Sequence, residues 1–70
     1  MRQAEILALQ TYLRKLFGTD RIALVAPKRR GGGVEVRVGD EFIGTAYRDE
    51  EDGEVSYALQ VAILAEDLEA

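Results

Sequence analysis

Apolar residues recur at helical spacing in the first part of the chain and alternate with polar ones later. In residues 2–17, RQAEILALQTYLRKLF, the residues Ile6, Leu9, Leu13, Leu16 and Phe17 keep a helical period, while Arg2, Glu5, Gln10, Arg14 and Lys15 largely fill the other faces. Most of the stretch consists of good helix formers. Arg14 and Lys15 lie in the last turn, where cations complement the helix dipole, and Gly18 suits the left-handed residue that ends a helix. The pattern predicts a helix over 2–17.

Four strands are expected after it. Residues 22–26, IALVA, form a short apolar run with branched side chains that stops at Pro27. PKRRGGG, 27–33, has loop composition. Val34, Val36 and Val38 alternate with Glu35 and Arg37, which predicts a half-buried strand over 34–38. Gly39-Asp40 carries turn chemistry before a strand over 41–48. DEEDG, 49–53, is expected to connect a second hairpin, with Gly53 suited to a positive φ. Val55, Tyr57, Leu59, Val61 and Ile63 then alternate with Glu54, Ser56, Ala58, Gln60 and Ala62, so 54–64 reads as a long strand despite helix formers in ALQVAIL. The end, 65–70, is expected to fray or form a short turn. These elements make one domain, 1–70, of α+β class: an N-terminal helix packed on a four-stranded antiparallel β-meander.

One register stays open. A two-residue loop at 39–40 pairs Val36 with Ile43, whereas a three-residue loop pairs Val38 with Phe42 and Val36 with Gly44. A slip of one residue turns every side chain to the other face, so this choice decides which aromatic meets the helix.

Composition narrows the functions. Seventy residues allow one small core and a thin stability margin. The chain has no Cys and no His, which removes disulfides and the common zinc sites. Self-association is then one of the remaining sources of extra stability. The N-terminal stretch has no apolar run of signal-peptide length, and the longest uncharged run, 55–65, is too short to span a bilayer, so a cytoplasmic, membrane-free protein is expected. Residues 1–30 carry a net +5 and residues 31–70 a net −9, a division that could favour association if the halves fold to different sides.

Three candidate sites follow. The acidic turn Asp49, Glu50, Glu51, Asp52 fails as an EF-hand loop: with Gly53 in sixth place, the first ligand would be Arg48 and the twelfth Leu59. A solvated turn that keeps an edge soluble is favoured over a weak divalent site, and no metal or cofactor is expected. Carboxylates at a hairpin tip stay ionised and lack the cleft that acid–base catalysis needs. With one serine and no histidine to activate it, the usual hydrolytic chemistry is rejected, and no catalytic residues are assigned. Lys28, Arg29 and Arg30, ahead of three glycines, could hold phosphates or a nucleic-acid backbone weakly. No G-K-[ST] follows, so this is not a phosphate-binding Walker loop, and a solvated loop is favoured.

The apolar inventory points elsewhere. One helix covers one sheet face, yet Phe42, Ile43, Tyr47, Tyr57, Ala58 and Ala62 place apolar groups on both faces of the last two strands. Phe42, Ile43, Tyr47, Tyr57 and Leu59 are therefore the candidate interface, set against the blander reading of scattered surface apolars. Sheet faces meeting, or an exposed edge pairing, would both serve.

Tyr12-Leu13-Arg14, GDEFIG at 39–44, DEEDG at 49–53, Ser56-Tyr57, Ile63-Leu64 and Asp67-Leu68 resemble the motifs of a family of short alphaproteobacterial proteins, domain of unknown function 3126. The resemblance covers nearly the whole chain and is most specific over 39–64; the loop at 27–33 has more glycine than the family pattern. It implies a stand-alone domain in the bacterial cytoplasm and carries no activity. The expectation is a non-enzymatic interaction or adaptor module, homodimeric or bound to another protein. The alternative is weak nucleic-acid or phosphate-ligand binding through 28–30.

Overall fold

The computed structural model describes residues 1–27 and 33–69. Helix α1 (Gln3–Phe17) is followed by β1 (Ile22–Val25), β2 (Val34–Val38), β3 (Glu41–Glu51) and β4 (Glu54–Val61), with a 3₁₀ turn over Ala65–Leu68. The strands form one antiparallel sheet in the order β1-β2-β3-β4. The α+β meander expected from the hydrophobic pattern is the fold of the chain.

Local chemistry explains the ends of α1. Glu5 accepts a hydrogen bond from the Arg2 backbone N–H at 3.1 Å. This is half of a capping box; arginine has no acceptor with which to complete it. At the other end Gly18 is left-handed, with φ 66 and ψ 33. There the N–H of Gly18 reaches the Lys15 carbonyl and that of Thr19 the Arg14 carbonyl, the two bonds of a Schellman motif.

The core lies between α1 and one sheet face. It comprises Ile6 and Leu13 from the helix, with Ile22, Leu24, Val34, Val36 and Ala46 from the sheet; Met1, Leu9, Val38 and Ile43 pack around it. Val34 and Val36 are 1% exposed. Every residue of β4, by contrast, is exposed. The helix is anchored over the β1 side of the sheet and leaves the β4 side open.

The undecided register resolves through a β-bulge. Next to the turn the pairs are Val38↔Glu41 and Arg37↔Phe42, as a two-residue loop requires, but beyond Val36/Arg37 the pairing shifts to Val36↔Gly44. Ile43 is the extra residue. Each alternative therefore holds on one side of the bulge.

Strand limits also differ from the sequence reading. β3 runs to Glu51 rather than residue 48, because the turn closes on two residues, Asp52 (φ 53) and Gly53 (φ 82), whose positive φ values match a tight hairpin turn. β4 ends at Val61 rather than 64. Its last link to β3 is the Ala62 N–H to the Ile43 carbonyl at the bulge, where β3 bends and its next residues pair with β2. β1 ends at Val25, one residue before the expected limit. Among the described residues, no helix is long and apolar enough to cross a membrane.

Candidate functional site

The two sheet edges are treated differently. Gly39 donates to the Arg21 carbonyl, so by the alternation of an antiparallel ladder the N–H and C=O groups of Ile22 and Leu24 point away from β2, to the free edge. Side chains of α1 occupy two of those groups. Gln10 Oε1 accepts from the Leu24 N–H at 2.9 Å, and Arg14 Nε donates to the Ile22 carbonyl at 2.7 Å. These bonds block the β1 edge and draw α1 to that side.

Among the described residues, the β4 edge has no such cover. The bond from the Ala62 N–H to Ile43, taken with the register, directs the backbone groups of Ser56, Ala58 and Gln60 toward β3. The N–H and C=O groups of Val55, Tyr57, Leu59 and Val61 then face outward. Their side chains share the helix-side face with Ala46 and Arg48, their cross-strand neighbours being Glu50, Arg48, Ala46 and Gly44 in turn. Between this row and α1 runs an apolar groove of about 350 Å³, bordered by Ala8, Leu9, Tyr12, Ala46 and Leu59. Tyr12 is 59% exposed on its wall.

A polar cluster closes one end of the groove. Tyr57 donates its hydroxyl to Glu5 Oε2 at 2.7 Å, and Arg48 Nε lies 3.0 Å from the same oxygen. Arg48 Nη2 also reaches Glu50 at 2.8 Å. The Tyr57 hydroxyl and then the Arg2 amide hold the Glu5 carboxyl below its usual range; desolvation opposes them, and the Arg48 charge adds a smaller lowering. The same bond to Glu5 raises the Tyr57 phenol. Arg48 is raised chiefly by its bond to Glu50. Glu5 thus stays ionised and Tyr57 protonated at neutral pH, so neither is set to exchange a proton there. The cluster ties the start of α1 to the β3–β4 hairpin across 52 residues of sequence, and no periodicity in either segment marks it.

The five candidate interface residues do not form one surface. Tyr57 and Leu59 lie in the helix-side row. Phe42, opposite Arg37, and Tyr47, opposite Ala58, belong to the other face and border a second groove with Thr45, Gln60 and Leu64. Ile43 sits at the bulge and packs against the core. Tyr12, Val55 and Val61 join the helix-side surface; they were legible as apolar positions but not as neighbours.

The acidic turn is split by the longer β3. Asp49 and Glu51 alternate with Arg48 and Glu50 along the strand, and Asp52 takes the turn. Among the described residues no three acidic side chains gather as metal ligands would. Lys28, Arg29 and Arg30, the alternative phosphate site, lie outside the described residues.

The family model described as Protein of unknown function (DUF3126) matches residues 5–67. The chain belongs to the DUF3126 family. The match includes Glu5, Tyr12, the bulge and all of β4, so the groove and the open edge lie inside the family's extent. No curated protein and no solved structure matches the chain.

Proposed function

We propose that this DUF3126 member is a non-enzymatic interaction module of the bacterial cytoplasm that acts as a homodimer, an adaptor or accessory to a larger assembly. The observation that carries this reading is the unfilled side of the sheet: β4 is exposed along its whole length, yet its helix-side row is Val55, Tyr57, Leu59 and Val61. A wet strand of an antiparallel sheet normally alternates polar with apolar groups and keeps the apolar ones covered. Here α1 covers them for β1 and β2 and stops short of β4. Among the described residues seven are buried in the core, and an interface would add further apolar burial to a chain of this size.

Light scattering over a concentration series, at low and high salt, tests the reading. The expected mass is twice the 7.8 kDa of the chain, resistant to salt because the contact is apolar and backbone-mediated. A single-chain mass up to millimolar concentration would reject it.

A further inference from the structure

The geometry points to a specific partner surface: two copies pair antiparallel through their β4 edges, Val55 opposite the partner's Val61 and Tyr57 opposite the partner's Leu59, making one continuous sheet. This inference rests on the homodimer reading and adds its mode.

Three observations select the edge and the register. First, the β1 edge is occupied by Gln10 and Arg14, while β4 is open. An unpaired edge is a template for another strand, and with one edge blocked a symmetric pair must use β4 on both copies. Second, the outward groups of β4 are those of Val55, Tyr57, Leu59 and Val61. In an antiparallel pair, hydrogen-bonded positions alternate with non-bonded ones. The register centred on Ala58 makes Val55–Val61 and Tyr57–Leu59 the bonded pairs in both directions, so every outward N–H and C=O of the four residues is satisfied.

Third, the side chains match. On the helix side, Val meets Val and Tyr meets Leu, the apolar cross-strand pairs that stabilise sheets. On the other side Ser56 meets the partner's Gln60, and Ala58 meets its own copy. Glu54 falls opposite the partner's Ala62, so no acidic residue of β4 faces another. Moving the centre one residue toward the turn, to Tyr57, would set Val61 opposite the partner's Gly53 in the hairpin turn and shorten the pairing, and moving it four residues would set Glu54 against its own copy, a like-charge repulsion.

The exposed side chains of the row, with Tyr12 on the groove wall and Ser56, Ala58 and Gln60 on the far face, set an upper bound on the order of 600 Å² per copy on what a second copy can cover, the lower end of specific interfaces. The two copies' Tyr57 and Leu59 side chains would form one apolar row between the helices, with each Tyr57 hydroxyl still on its own Glu5.

The chain has no cysteine, so an engineered thiol is unique. At the centre of the register Ala58 is a non-bonded pair with itself, where Cα atoms stand about 4.5 Å apart, within disulfide range. Under a mild oxidant such as diamide, A58C is expected to run as a covalent dimer on a non-reducing gel. A62C and A23C, which have no close copy of themselves, are expected to stay single. Mixing S56C with Q60C should give a cross-linked pair that either alone gives far less of, which fixes the register by a second route. If the unmodified protein is dimeric by light scattering but neither A58C nor the mixture cross-links, edge pairing is wrong and the homodimer reading stands. If it is monomeric throughout, both fall together.

Discussion

Replacing Gly44 by alanine separates two effects that act in opposite directions. Alanine restricts the unfolded chain and by that route alone would stabilise by about 0.4–1 kcal/mol. In the folded chain, however, a Cβ at Gly44 would collide with the Gln60 carbonyl oxygen and lie 2.9 Å from the Val61 Cα, where ordinary contact begins at 3.4 Å. All the obstructing atoms are backbone, so no rotamer change relieves them. β4 must move back from β3, and the adjacent bond from the Ala62 N–H to the Ile43 carbonyl is lost with it. Overpacking costs about 1–3 kcal/mol, and one or two lost backbone bonds add about 1 kcal/mol each. The net is a destabilisation of about 2–4 kcal/mol against a total of roughly 4–10 kcal/mol for a chain of this size.

Urea unfolding followed by far-UV circular dichroism measures the change. With a slope of about 1 kcal/mol per molar urea, the G44A midpoint should fall by about 2–4 M or the variant should be unfolded in buffer. G18A is the control. Its Cβ meets nothing within 4 Å, so its cost is that of a left-handed alanine alone, about 1–2 kcal/mol. If G44A loses no more stability than G18A, the close approach of β3 and β4 is not what keeps a glycine at this position.

Four further outcomes are expected. Because the Glu5 carboxyl is held below its ordinary 4.5, its contribution to stability is present above that value and lost as pH falls through the lower folded one. E5Q should flatten the acid limb of the urea midpoint against pH, and an unchanged limb would remove Glu5 as a latch. For Tyr57 the sign is reversed: its phenol is raised above 10.0, so its contribution is present below that pH and lost as pH climbs through the folded value. Y57F should weaken the alkaline limb correspondingly in the same assay.

Q10A leaves the Leu24 N–H without its partner and should cost about 1 kcal/mol, with faster hydrogen exchange at Leu24. It also opens the β1 edge, so assemblies larger than a dimer should form at high concentration; a variant with wild-type exchange at Leu24 would contradict the edge-blocking role. In the unmodified protein, the amides of Val55, Tyr57, Leu59 and Val61 should gain protection as concentration rises into the dimer range, while those of Ser56, Ala58 and Gln60 stay protected throughout. Equal behaviour of the two sets would count against the outward assignment.

Much of this architecture was legible in the order of residues. The helical period of Ile6, Leu9 and Leu13, the alternation of Val34, Val36 and Val38, and the ten-residue alternation from Glu54 each specify an element, because burial on one face imposes a period that survives in one dimension. Gly18 and Gly53 mark ends and turns because they take positive φ. The motifs from Gly39 to Leu64 were enough to place the chain in its family.

What the order of residues could not settle were relations between elements distant in sequence. Whether Phe42 or Ile43 turned toward the helix depended on a bulge between the Arg37↔Phe42 and Val36↔Gly44 pairs, which leaves no composition of its own. Glu5, Arg48 and Tyr57 are unremarkable polar and aromatic positions until the start of α1 comes to lie beside the hairpin and a single carboxylate oxygen meets both partners. The candidate interface residues shared apolar character, but faces are assigned by register, and register divided them between two surfaces and the core margin. The decisive asymmetry, one edge occupied by Gln10 and Arg14 and the other bare, comes from where a fifteen-residue helix comes to rest on a four-stranded sheet. Periodicity reports which residues seek burial; only the assembled sheet decides which of them find it within one chain.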